Sequence, residues 1–169
     1  MAHIIPTKIP GFNIRYATEK DIDRILAFIR ELATYEKLIN EVKATPKLLR
    51  EALFGEKPVA EVLFGEFNGQ PVAFALYFRN FSTFLGKPGL YLEDLFVKEE
   101  FRGRGFGKVM LSFLARVAVE RNYGRFEWSV LDWNEPALHF YRSIGAIPMD
   151  EWTVHRLSDV SLKKLAEQF

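Results

Sequence analysis

The sequence predicts an α/β protein of the mixed (α+β) kind, one sheet flanked by helices, and three observations predict it. Runs with the two-residue alternation or short continuous apolar character of strands recur at residues 12–17, 59–67, 71–78, 90–97, 125–131 and 152–157. Apolar stripes at three- and four-residue spacing, the mark of helices with one buried face, fall between them. One strand, 90–97, runs through a glycine cluster straight into such a stripe, the strand-turn-helix order of layered α/β architectures.

Taken in chain order, Phe12 to Ala17 forms the first strand. Thr18 with Asp21 makes a variant capping box ahead of Ile22, Ile25, Leu26, Ile29, Leu32 and Ala33, which share one helical face. Thr45 followed by Pro46 starts a shorter helix carrying Leu48, Leu49, Ala52 and Leu53, and Gly55 ends it. Strands 59–67 and 71–78 flank Asn68-Gly69-Gln70, and Asn-Gly is a strong hairpin signal. Residues 79–89, which mix Phe81, Phe84 and Leu85 with Ser82, Thr83, Gly86, Pro88 and Gly89, read as a connecting and mobile loop. After strand 90–97 comes a helix bearing Phe106, Met110, Phe113, Leu114 and Val117. Strand 125–131, a helix from Asn134 to Ile144 closed by Gly145, strand 152–157 and a C-terminal helix complete the order. No repeat or long linker interrupts it, so residues 1–169 are expected to make one domain.

Composition narrows the function. Twenty-three basic residues against 22 acidic ones leave a net charge of +1, which gives no overall pull toward nucleic acid or anionic membrane. The absence of cysteine excludes disulfides, thiolate metal sites and a cysteine nucleophile. His3, His139 and His155 lack metal-ligand spacing, so no metal is assigned. With no secretory h-region and no apolar run near membrane-spanning length, a cytoplasmic protein is expected. Sixteen Phe, six Tyr and three Trp favour several half-buried strands or a broad apolar interface, and a homodimer is expected.

The sharpest motif is Arg102-Gly103-Arg104-Gly105-Phe106-Gly107, between a strand and a helix. Unpaired amides and the positive end of the helix dipole can receive a phosphate there, glycines let its oxygens approach, and the two arginines add charge. A Walker loop needs glycine where Arg102 stands and Ser or Thr where Val109 stands; the dinucleotide fingerprint needs a two-residue second gap. The spacing matches Arg-x-x-Gly-x-Gly instead. A tight turn without a ligand is the competing reading.

Here the sequence resembles the acyl-CoA-binding signature of the GNAT N-acetyltransferase superfamily, and its flanks resemble the spermidine/spermine and thialysine acetyltransferase branch. The resemblance rests on Glu31-Leu32-Ala33-Thr34-Tyr35-Glu36, on Leu90-Tyr91-Leu92-Glu93-Asp94-Leu95-Phe96-Val97, and on Trp133-Asn134-Glu135-Pro136-Ala137-Leu138-His139-Phe140-Tyr141. It implies a GNAT fold, a mostly antiparallel mixed sheet with a splayed strand pair, and acetyl-CoA as cosubstrate with a small-molecule amine as partner. It further implies that Phe96 and Val97 bond the pantetheine arm, that Arg102 to Gly107 hold the pyrophosphate, that Asn134 contacts CoA, and that Glu93 and Tyr141 occupy catalytic positions. Ser82 stands where the polyamine enzymes carry an acidic residue, so weak polyamine activity is expected.

The chemistry those roles demand is definite. A primary alkylamine with a pKa of about 10.4 is neutral in roughly one molecule per thousand near pH 7.4, a handicap of about 4 kcal/mol. Glu93 is the candidate to attract the cation and accept its proton, directly or through water, while Asp94 either tunes the field or forms a structural ion pair. Strand alternation leads one to expect only one of these neighbours to face the site. A main-chain NH near Leu95 or Phe96 would stabilise the oxyanion if the strand is splayed or bulged there, and Tyr141 would protonate the departing thiolate. Asn134 suits a helix N-cap with Tyr141 seven residues on. Glu31, Glu36 and Asp150 are further amine-site candidates, and Trp152 reads equally as a core or interface aromatic.

Overall fold

The computed structural model describes residues 3–169. Two compact units divide between Ser129 and Val130. The first is built on a six-stranded sheet, β1 (Ile4–Pro6), β2 (Phe12–Tyr16), β3 (Glu61–Phe67), β4 (Gln70–Ser82), β5 (Lys87–Val97) and β6 (Phe126–Trp128), arranged in chain order. Every neighbouring pair is antiparallel except β5 and β6, which run parallel. Helices α1 (Ile22–Tyr35), α2 (Pro46–Phe54) and α3 (Phe106–Glu120) cover it.

Local chemistry sets the boundaries. Thr18 donates from its amide and its hydroxyl to Asp21 Oδ2 at 2.9 and 3.0 Å, so Asp21 anchors the entry to α1 much as a capping box does. Arg15 donates to both Asp21 carboxylate oxygens at 2.9 Å and to Glu66 at 2.7 Å, and Arg24 joins from the next turn. Burial of Asp21 opposes its charge, but the hydrogen bonds from Arg15 and Thr18 prevail and hold its carboxyl well below the usual range. Thr45 caps α2 by accepting from the Leu48 amide at 3.3 Å. Asn68 and Gly69, with φ of +50° and +81°, join β3 to β4 through the tight turn the Asn-Gly pair predicts.

The two sheet faces carry different layers. Val62, Phe64, Phe74 and Phe96 point toward α1 and α2, where Ile25, Phe28, Leu32 and Leu53 meet them. The other face carries α3, with Phe106 stacked on Phe12 at 4.1 Å and Phe113 edge-on to Tyr16.

Two expectations are corrected. Residues 79–89 are not a loop: β4 runs on to Ser82 and β5 begins at Lys87, leaving a four-residue turn. Cross-strand pairing such as Arg79 with Leu90 and Phe81 with Pro88 overrides the local turn signals of Ser, Gly and Pro. Residues 152–157 form no strand; all are exposed and none pairs with another described segment, and a strand exists only with a ladder partner. The second unit contains instead α4 (Glu135–Ser143) and α5 (Asp159–Ala166). No helix among the described residues is long and apolar enough to cross a membrane.

Candidate active site

The register of β4 and β5 slips at one point. Leu76 pairs with Asp94 and Tyr77 with Leu92, which leaves Glu93 as an extra residue, a β-bulge. The bulge upsets the simple alternation expected of Glu93 and Asp94. Glu93 is exposed at the bulge, while Asp94 lies half-buried on the α1 face beside Leu76 and Phe96. Burial, then the neighbouring charge of Glu93, then that of Glu36, push the Asp94 carboxyl up to about 7. Glu36, which caps the C-terminus of α1, is itself raised by burial. The strand chemistry of the sequence identifies the carboxylate pair, but it does not reveal the burial that raises Asp94. That depends on a register slip against another strand.

Beyond the bulge the sheet opens. β6 is in register only with Leu90–Leu92 of β5, so among the described residues no strand lies beside Glu93, Asp94, Leu95, Phe96 and Val97 on that edge. This is the splayed pair, and the break starts at Glu93 rather than at Leu95 or Phe96. Leu95 is half-buried opposite Ala75, and Phe96 is buried against Phe28 and Tyr35.

From Val97 the chain enters a 3-10 turn, Glu99–Phe101, and then the glycine cluster. Gly103 and Gly105 have φ of +75° and +82°, the left-handed region that glycine enters without penalty. A Cβ at Gly103 would meet nothing, so the backbone there is open to approach; Gly105 is the N-cap of α3. The first helical bond runs from the Val109 amide to the Gly105 carbonyl at 3.1 Å, and the amides of Phe106, Gly107 and Lys108 lack intrahelical acceptors. An exposed glycine backbone followed by the N-terminus of a 15-residue helix is a fitting cradle for a diphosphate.

The arginines of the motif are turned to other surfaces. Arg102 donates from Nε to the Val97 carbonyl at 2.9 Å and lays its guanidinium 4.3 Å from the centre of the Tyr35 ring. Arg104 sits over Phe67 and Phe101 at 5.6 and 5.4 Å. Glu31 is ion-paired to Lys98 at 2.9 Å, and that ammonium lies over Phe28, so Glu31 ties α1 to the end of β5.

Ser82 ends β4, is buried, and accepts a hydrogen bond from the Leu85 amide at 3.3 Å, which tightens the turn. In the second unit Asn134 caps α4 by accepting from the Ala137 amide at 3.4 Å. Tyr141 lies on the same helix, half-buried, and burial raises its hydroxyl above the ordinary tyrosine value. Asp150 and Trp152 are exposed in the segment after α4.

The fold and the motif agree with the relatives. Over 164 residues, 90% of this chain and 96% of that protein, the sequence is 38% identical to the thialysine N-epsilon-acetyltransferase of Sus scrofa. A 92-residue stretch, 54% of this chain and 40% of its counterpart, is 44% identical to the L-ornithine N5-acetyltransferase NATA1 of Arabidopsis thaliana. Among solved structures, an integron cassette protein from V. cholerae superposes with a TM-score of 0.77 at 27% identity, covering 93% of this chain and 98% of that one. An aminoglycoside acetyltransferase from a soil metagenome shares the fold with a TM-score of 0.73 at 19% identity, over 89% and 97% of the two chains. Residues 19–146, from the entry to α1 to the segment after α4, match the acetyltransferase (GNAT) family, and this chain is therefore a member of that family, whose enzymes move acetyl groups from acetyl-CoA to amines.

Proposed function

We propose that the chain acetylates a primary amine of a small molecule, a diamine, polyamine or thialysine-like amino acid, by direct attack in a complex with acetyl-CoA. The observation that carries this reading is the bulge at Glu93. It brings two carboxylates together on a strand whose free edge leads straight into the amide-rich glycine turn. Acetyl-CoA supplies a thioester: the amine nitrogen bonds the acetyl carbon as the C–S bond breaks, one amine proton leaves, and the sulfur takes up another.

The protein's share is to hold both partners and to move those protons. The backbone of residues 102–107 holds the diphosphate, Phe96 and Val97 hold the pantetheine through main-chain groups, and Asn134 contributes from the head of α4. Arg102 braces the Val97 carbonyl against Tyr35, and Arg104 contributes long-range positive charge. Glu93, exposed, draws in the ammonium; Asp94, with its proton affinity set near neutrality, accepts the proton. Tyr141 returns a proton to sulfur, a role supported by the Asn134-to-Tyr141 motif and by a burial-raised hydroxyl that keeps its proton at neutral pH. Asp150 is a further contact for the amine. That the GNAT match crosses the division at Ser129 supports treating both units as one catalytic domain. Exposed Ile147, Met149, Trp152 and Val154 support a homodimer.

Thiol release measured across a panel of diamines, polyamines and ω-amino acids, together with acetyl-CoA titration by calorimetry, tests the reading. Turnover of at least one amine is expected, with Tyr141→Phe slowing it when chemistry limits. Acetyl-CoA binding without turnover of any amine would leave a silent acyl-CoA module, and no binding at all would end the assignment.

A further inference from the structure

The α1 face of the sheet continues past the helices that cover it. Cross-strand register places Leu76 and Asp94 in one row and Phe78, Tyr91 and Glu127 in the next. Asn80 opposes Gly89 in the row after that. Phe78 and Tyr91 pack ring against ring at 5.1 Å, both half-buried, and make an apolar floor between Asp94 and the polar groups beyond. At the near end of this floor the Tyr91 hydroxyl and Ser129 Oγ share a hydrogen bond of 2.7 Å.

The far end carries paired opposite charges. Asn80 Nδ2 donates to Glu127 Oε2 at 2.9 Å, and Arg125 Nε lies 2.8 Å from the same oxygen. Arg125 also donates from Nη2 to the Phe81 carbonyl at 3.3 Å. Its stem crosses Gly89, where a Cβ would come within 2.8 Å of Arg125 Cγ, so glycine at 89 is what lets the arginine lie across the sheet. Both contacts to Glu127 fall on Oε2, which leaves Oε1 to accept from an ammonium. A guanidinium has five N–H donors; here one Nη2 proton is hydrogen-bonded, and Nε, buried beside Glu127, makes an ion-pair contact without a hydrogen bond, so Nη1 and the rest of Nη2 remain for a carboxylate. Both side chains are about one-third exposed, at 36% and 34%.

We propose that Arg125, Glu127 and Asn80 dock the zwitterionic head of an amino-acid acceptor, its α-carboxylate on Arg125 and its α-ammonium on Glu127, so that the amine at the far end of its side chain reaches Glu93 and Asp94. The proposal rests on the acetyltransferase reading and adds the residues that select an amino acid from among its acceptors. The spacing is suitable: Glu127 lies one row along the strands, about 7 Å, and one strand across, about 5 Å, from Asp94, a reach of roughly 8 Å that a four- or five-atom chain with its terminal groups spans, while Arg125 comes from the row beyond and turns its Nε back to within 2.8 Å of Glu127. The Phe78–Tyr91 floor takes the methylenes. A diamine of the same length offers nothing to Arg125 and places a second cation beside it, and a long polyamine finds no acid at Ser82, whose hydroxyl is already engaged by the turn.

The test compares kcat/KM, at saturating acetyl-CoA, for lysine against 1,5-diaminopentane and for ornithine against 1,4-diaminobutane. Each amino acid is expected to exceed its decarboxylated partner by about tenfold or more. Arg125→Gln should collapse that ratio toward one, mainly through KM of the amino acid, and Arg125→Lys should recover part of it. Glu127→Gln should lower the advantage of free lysine over lysine acylated at its α-nitrogen. Equal kcat/KM for amino acid and diamine in the wild-type enzyme would overturn the proposal while leaving the acetyltransferase reading intact, as would a ratio unmoved by Arg125→Gln. No acetylation of any amine, with no acetyl-CoA binding, would overturn both.

Discussion

A carboxylate takes a proton from an ammonium usefully only when its own proton affinity lies near the working pH. At 3.8, its ordinary value, Asp94 would stay ionised but be a poor acceptor; held at about 7 by burial and by Glu93 and Glu36, it is suited to the exchange. The base must be deprotonated to act, so kcat/KM for the amine, which reports the free enzyme, is expected to rise through about pH 7 and level above it. Asp94→Asn should abolish that rise and lower kcat by about a hundredfold or more. Measured pH profiles of the two single variants decide the assignment, because each removes one carboxylate of the neighbouring pair. If the inflection survives in Asp94→Asn and disappears in Glu93→Gln, the proton acceptor is Glu93 and Asp94 only sets its field.

At the scale of elements, the proposed site is a strand that loses its neighbour followed by a helix that begins without a side-chain cap. The positive φ of Gly105 is where α3 starts, and an alanine there would carry the left-handed penalty of about 1 kcal/mol and a Cβ at 3.5 Å from Ile9. Gly105→Ala is therefore expected to lose a modest part of the stability but to weaken acetyl-CoA binding at least about tenfold, because the amides of the cradle shift with it. Calorimetry on the folded variant checks this, and undiminished binding would remove the turn from the diphosphate site. This element was legible in the sequence because its signals are local: Arg-x-x-Gly-x-Gly after a strand, Asn-Gly between strands, and Thr45-Pro46 and Asn134 at helix starts all act within a few residues. What was not legible is non-local. The extra residue at Glu93 exists only relative to β4, the lengthening of β4 and β5 through Pro88 comes from their pairing, and one of the two charges that act on Asp94, Glu36, arrives from the end of α1. The expected strand at 152–157 failed for the same reason, since alternation specifies a face but supplies no partner.

For the whole molecule, two carboxylates set opposite pH dependences of stability. Asp21 ionises more readily folded than unfolded, because Arg15 and Thr18 bond its charged form; its contribution is present above about pH 4 and fades as pH falls through its depressed folded value. Asp94 is harder to ionise folded than unfolded, so its contribution is complete below pH 3.8 and is lost progressively as pH rises to about 7. The loss is at most about 4 kcal/mol, reduced by the partial exposure of the group, yet folded domains hold only about 5–15 kcal/mol in all. On the proposed reading, the carboxyl that takes the proton weakens the fold at the pH where it works, an exchange of stability for activity. Urea midpoints at pH 5 and pH 8 should move apart in the wild-type protein and draw closer in Asp94→Asn, which is expected to be the more stable of the two at pH 8 by about 1–3 kcal/mol. Asp94→Asn showing no gain at pH 8 would mean that Asp94 is ionised there at little cost, and that its burial does not oppose its charge.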